Sequence, residues 1–138
     1  MLPSDFSINN IEIGSRAVFS REISESDVQI FAELSGDFNP LHMDDAYAAT
    51  TFFGKRVVHG MFLGSLCSKL VGMHLPGRRC LYLKQELSFK SPVYIGETVD
   101  VEGVVISKSV ATSLVTITTT IKKENAIVVI GSAVVKII

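Results

Sequence analysis

Charge of one sign is concentrated nowhere in this 138-residue chain: thirteen Lys and Arg face fourteen Asp and Glu, for a formal net charge of −1. A nucleic-acid or membrane-surface role therefore lacks its electrostatic footprint. A membrane span is equally unsupported. The longest apolar region, residues 57–73, contains His59, Ser65, Ser68 and Lys69 and falls short of the roughly 20 residues that cross a bilayer. The opening Met1-Leu-Pro-Ser-Asp-Phe shows neither the basic nor the continuous apolar region of a secretory signal. Cysteine is scarce. Cys67 and Cys80 sit among apolar neighbours and form no CxxC, so they read as reduced core residues of a cytoplasmic protein.

Several motifs are missing too. The three histidines, His42, His59 and His74, show neither HExxH nor H-x-x-x-H spacing, and no metal site is expected. No GxSxG and no glycine-rich dinucleotide or phosphate loop occurs, which removes the usual supports for seryl hydrolysis, redox chemistry and ATP chemistry. Lys55, Arg56, Lys69, Arg78 and Arg79 could each meet phosphates, but solvation at the surface accounts for any one of them.

What is present suffices for one folded domain over residues 1–138. Hydrophobic residues make up 47% of the chain, ample for a core and outside the range of disordered chains. Ser24-Glu-Ser-Asp27 has the form of a capping box, and Val28, Phe31, Ala32 and Leu34 recur at helical spacing until Ser35-Gly36. Residues 44–50 form a short helix candidate with Asp44 as its N-cap. Residues 59–73 are apolar on nearly every side, which predicts a buried helix.

From residue 80 the period changes to two. Leu81, Leu83, Gln85, Leu87 and Phe89 should share one strand face. Segments 98–107, 112–122 and 126–138 are rich in Val, Ile and Thr and suit further strands, with turns at Lys108-Ser109 and Lys123-Glu124-Asn125; 16–22 suits a shorter one. Short connections favour antiparallel neighbours. An α+β architecture follows, in which one antiparallel sheet curls round one apolar helix. The sheet's edges would need cover, which points to a homodimer.

The segment Ser35-Gly-Asp-Phe-Asn-Pro-Leu-His-Met-Asp44 is the most informative. Pro40 disfavours helical geometry at Asn39, and Asn39 suits a turn. A bend there can converge Asp37 and His42, a carboxylate and an imidazole able to hold a water and exchange its proton. The plainer alternative is that Asp37 caps the turn and His42 is a satisfied polar residue. At the start of the apolar helix, Val58-His59-Gly60-Met61 offers a free N–H at Gly60 to a carbonyl oxygen gaining charge. Alternatively, Gly60 only relieves crowding while His59 caps the helix. Gln85, Ser65 and Ser68 could line a ligand pocket or satisfy backbone groups.

These residues resemble a known signature. Gly36-Asp37-Phe38-Asn39-Pro40-Leu41-His42 is similar to the G-D-x-N-P-[IL]-H pattern of the MaoC-like, R-specific enoyl-CoA hydratases. Val58-His59-Gly60-Met61 resembles their second landmark, and Phe89-Lys90-Ser91-Pro92-Val93-Tyr94-Ile95-Gly96-Glu97 their strand-turn. The similarity runs from Gly14 to Ile138. It implies a hot-dog fold and a homodimer acting on an acyl-CoA thioester. It further implies that Asp37 and His42 are a catalytic dyad supported by the Asn39 turn and that the Gly60 N–H holds the thioester oxygen. Ser65, Ser68, Val71 and Gln85 would line the acyl pocket. The reaction is R-specific hydration of a trans-2-enoyl-CoA, with no metal and no cofactor beyond the coenzyme A of the substrate. Polyester-precursor supply, beta-oxidation and fatty-acid synthesis all need this step. The alternatives are a 3-hydroxyacyl-[acyl-carrier-protein] dehydratase, a thioesterase and a non-enzymatic acyl-thioester binding module.

Overall fold

A computed structural model describes residues 1–138. The chain runs β1 (Arg16–Glu22), α1 (Glu25–Ser35), α2 (Pro40–Met43), α3 (Asp45–Ala49), α4 (Gly60–Lys69), a wider helical turn (Leu70–His74), then β2 (Cys80–Phe89), β3 (Thr98–Ser109), β4 (Leu114–Lys123) and β5 (Ala126–Ile137). The strands form one antiparallel sheet in the order β1-β3-β4-β5-β2. No helix is long and apolar enough to cross a membrane.

Local chemistry sets most boundaries. Ser24 and Asp27 close a reciprocal capping box at the start of α1, and Gly36 ends it in the left-handed region at φ 78°, where glycine has no Cβ to clash. The β4–β5 hairpin turns at Glu124 and Asn125, both with positive φ. The β3–β4 turn falls later than expected. Both strands run to Ser109 and from Leu114, and the reversal is made by residues 110–113. A bulge between Val105 and Ser107 shifts the register there.

The sheet wraps α4, and the core lies between them. Leu63, Leu66, Cys67 and Leu70 pack with Val99, Val101, Ile121 and Val129 in one cluster. A second cluster gathers Val71 and Leu75 against Val105, Val115, Ile117 and Val135. Gly103 permits this closeness: a Cβ there would stand 2.8 Å from Leu70 Cδ2. Burial pushes the Cys67 thiol above its ordinary range, despite an opposing hydrogen bond from Thr119, and keeps it protonated.

Two expectations change. The helix at 59–73 is not buried all round. Phe62, Leu63, Gly64, Leu66 and Cys67 face the core, whereas Met61, Ser65, Ser68 and Lys69 form an exposed stripe. The face of β2 also changes partway. Its pairing with β5 skips Leu83, so Tyr82 opposes Val135 and Lys84 opposes Val134. One extra residue reverses the alternation. Cys80 and Tyr82 therefore face inward before the bulge and Gln85 and Leu87 after it, while Leu81 and Leu83 are 51% and 52% exposed.

Candidate active site

The site forms where the loop after α1 meets the first turn of α4. Asn39 accepts the Leu41 N–H at 3.0 Å, and Pro40 opens α2, a position where its missing N–H costs nothing. The resulting single helical turn reverses the chain and carries His42 back toward Asp37. Asp37, His42 and His59 each bring a potential ligand atom within 4.8 Å of the other two.

The hydrogen bonds define what each group can do. His42 Nδ1 lies 2.6 Å from the Val57 carbonyl. A carbonyl only accepts, so Nδ1 carries a proton, and in the neutral ring Nε2 keeps the lone pair. The Asp37 carboxylate accepts the Asn39 N–H at 3.1 Å through one oxygen, and the side chain is otherwise exposed. Asp37 thus supports the turn while keeping acceptor capacity for a further ligand. His59 is 1% exposed. Its Nε2–H donates to the Asp37 carbonyl at 2.9 Å, and its ring packs on His42 at a tilt, with centroids 4.1 Å apart and planes 31° apart. His59 makes no side-chain bond to the start of α4, so it does not cap the helix in the usual sense.

A shared metal fits this arrangement poorly. Imidazole lone pairs lie in the ring plane, and two rings packed face on face at 4.1 Å, even tilted by 31°, converge them poorly on one ion. One nitrogen of each ring is also engaged by a backbone carbonyl.

His42 and Gly60 line the same cleft of about 350 Å³, together with Phe53, Leu63, Phe89, Pro92 and neighbouring residues. Asp37 is not among its lining residues, though its carboxylate lies within 4.8 Å of an imidazole nitrogen of His42. Gly60 is the first residue of α4, so its N–H has no carbonyl one turn back, and no other group of the chain accepts from it. A Cβ on Gly60 would come within 3.1 Å of the Phe89 ring. The first obstacle to a side chain here is thus Phe89, not open space reserved for a ligand.

A second cavity of about 380 Å³ lies between α4 and β2, lined by Phe31, Met61, Gly64, Ser65, Ser68, Tyr82, Gln85 and Leu87. Three of the four anticipated pocket residues meet here. Ser65 donates back to the Phe62 carbonyl at 2.6 Å, and Gln85 donates to Thr119 Oγ1 at 2.9 Å while accepting from the Tyr82 hydroxyl. Their polar atoms are therefore largely satisfied. Val71 is the exception. It is fully buried in the second core cluster, because the helix has turned it toward the sheet. Tyr82 was hidden by the bulge. Partial burial pushes its hydroxyl above the ordinary range, so it remains a neutral donor.

Known proteins are similar to this chain in sequence and fold. The MaoC-like domain family model matches residues 9–126, and the chain belongs to that family. It is 46% identical over 132 residues to an (R)-specific enoyl-CoA hydratase of Aeromonas caviae, covering 95% of this chain and 98% of that one. A mitochondrial 3-hydroxyacyl-[acyl-carrier-protein] dehydratase of Solanum lycopersicum is 34% identical over 133 residues, covering 94% and 79%. Among solved structures, an unliganded R-hydratase of Pseudomonas aeruginosa aligns with a TM-score of 0.92 at 38% identity, covering 98% of this chain and 87% of that chain. The sheet-wrapped helix is the hot-dog fold of these neighbours.

Proposed function

We propose that the protein is a hydro-lyase that adds water to trans-2-enoyl-CoA and yields the R-3-hydroxyacyl-CoA, reversibly. The observation that carries this reading is His42 and Gly60 facing one cleft, with Asp37 beside His42. The relatives' activity and their near-complete coverage support it.

An enoyl thioester is electrophilic at C3 because its π electrons can move toward the carbonyl oxygen. Asp37 and His42 hold a water against C3. One of them takes a proton as the C3–O bond forms, and the dyad returns a proton to C2, so H and OH add across the double bond and the site is regenerated. The Gly60 N–H meets the thioester oxygen, where α4 begins with its partial positive charge. A dyad serving one face makes the addition syn. Nothing is oxidised, reduced or phosphorylated, so the chemistry requires no prosthetic group and no metal; coenzyme A is the substrate's handle. The cavity beside Ser65, Ser68, Tyr82 and Gln85 takes the acyl chain.

The working form is a homodimer. β2 is an edge strand, and next to it lies the uncovered stripe of α4, with Met61 61% exposed. An unpaired edge beside the exposed Met61, Leu81 and Leu83 side chains is suited to a second copy. The unpaired Cys67 and Cys80 agree with a cytoplasmic location.

The test is a chain-length series of trans-2-enoyl-CoA substrates, followed by loss of enoyl absorbance, with chiral analysis of the product. R product from at least one chain length is expected. S product, or thiol release with the enoyl bond intact, would overturn the reading. The dehydratase relative favours one further comparison, the same acyl group on acyl carrier protein; faster turnover there would move the reaction to the dehydration step of fatty-acid synthesis.

A further inference from the structure

We infer that His59 is a positioning residue for the dyad, acting through its bond to the Asp37 carbonyl. This rests on the hydratase reading above. His59 sits at the junction of all three parts of the site. Its Nε2–H holds the backbone of Asp37 at 2.9 Å, its ring backs that of His42, and its own carbonyl accepts from Phe62 and Leu63 in the first turn of α4. Phe31 closes the far side edge-on, with centroids 4.9 Å apart.

The bond to Asp37 fixes the chemical form of His59. A backbone carbonyl only accepts, so Nε2 carries the proton. Nδ1 is buried and has no partner, so the neutral Nε2–H tautomer is the one this pocket accommodates. Here the single directed bond ends on the residue whose carboxylate must meet the water. The loop from Gly36 to Asn39 is otherwise exposed, and this bond is the tie between Asp37 and the buried start of α4. Losing it lets the carboxylate drift, and a displacement of about 1 Å can cost on the order of 10²-fold in rate.

Two variants separate the bond from the ring. His59→Phe keeps an aromatic ring and removes the donor; His59→Gln keeps an N–H at the Nε2 position and removes the ring. With enoyl-CoA as substrate, His59→Phe should lower kcat by roughly 10–100-fold with KM nearly unchanged, and His59→Gln should recover most of that loss. A Phe variant within twofold of wild type, or a Gln variant no better than Phe, would overturn the inference. Nitrogen NMR of the wild-type imidazoles keeps it falsifiable should the Phe variant not fold. His59 should show a protonated Nε2 and a bare Nδ1, and an Nδ1–H tautomer would overturn it. A wild-type chain that hydrates no enoyl-CoA would remove the hydratase reading and this inference together. An active wild type beside an equally active Phe variant would remove this inference alone.

Discussion

The two sides of α4 are finished to different degrees. At its start, His59 is almost fully buried, Phe31 and His42 pack on it, and the loop from α1 is tied down by it. Along its outer stripe, Met61, Ser65 and Ser68 are exposed, and a cavity lies between them and β2. The first side is complete within one chain. The second has the surface of something still to be covered. Under the proposed function, reaction chemistry belongs to the self-contained corner, while acyl-chain length and the proposed dimer contact belong to the open face.

The largest effect expected from breaking this division is at the dyad. Asp37→Asn or His42→Ala should each lower kcat by roughly 10²–10⁴-fold, the scale of a positioned general acid or base, with the dimer intact by sedimentation. Next comes Gly60→Ala, expected to reduce kcat/KM by about 10²-fold, as for one lost oxyanion donor. Its melting temperature should not fall, since Ala exceeds Gly in helix propensity by up to about 1 kcal/mol. Because the added Cβ meets Phe89 first, combining it with Phe89→Ala sharpens the cause. Recovery of rate assigns the loss to the displaced ring, and no recovery assigns it to the added Cβ or a shifted backbone at Gly60, since the variant keeps the N–H.

On the other side of α4 the prediction is reversed. Met61→Glu with Ser68→Glu sets like charges near their symmetry mates in a two-fold interface and should weaken the dimer by on the order of tenfold, about 1.4 kcal/mol. Both residues also line the acyl cavity, so KM for long acyl chains should rise, while at concentrations where dimers remain the chemical step should persist at saturating substrate. Loss of the chemical step without dissociation would merge the two sides.

The smallest expected effect is electrostatic. A hydrogen bond from Arg56 holds the Glu25 carboxyl below its ordinary range, against a small opposing effect of burial. The folded state therefore favours the charged form. Its contribution is present above the unfolded value of about 4.3 and is lost as pH falls through the lower folded value. The Glu25 side chain is 62% exposed, so Glu25→Gln should cost no more than about 0.5 kcal/mol at pH 7. Thermal melts of mutant and wild type should converge as the pH is lowered below 4.

Most of the complete side was legible in the sequence, because short-range chemistry builds it. The capping box at Ser24, the stop at Gly36 and the turn at Asn39-Pro40 are local devices, and the last two place Asp37 near His42. The α+β class followed from the change of period at residue 80, and the hot-dog fold from the family signature. The bulge at Leu83 was not legible. An alternating Leu-x-Leu-x-Gln pattern reads as one face, and only pairing with β5 shows that Tyr82 turns inward and Leu81 outward. Val71 was misplaced for a related reason, since its helical position faces the sheet, not the cavity. His59 could be seen as part of a motif, but its bond spans 22 residues to a backbone carbonyl, which no local pattern announces.

The account stands most directly on the shared water. The decisive measurement is kcat for trans-2-enoyl-CoA hydration by Asp37→Asn, His42→Ala and the double variant, all verified as folded dimers. Groups acting on one water work as a unit, so the double variant should be little slower than the worse single. A double defect equal to the product of the two singles, or singles that keep nearly full activity, would contradict it.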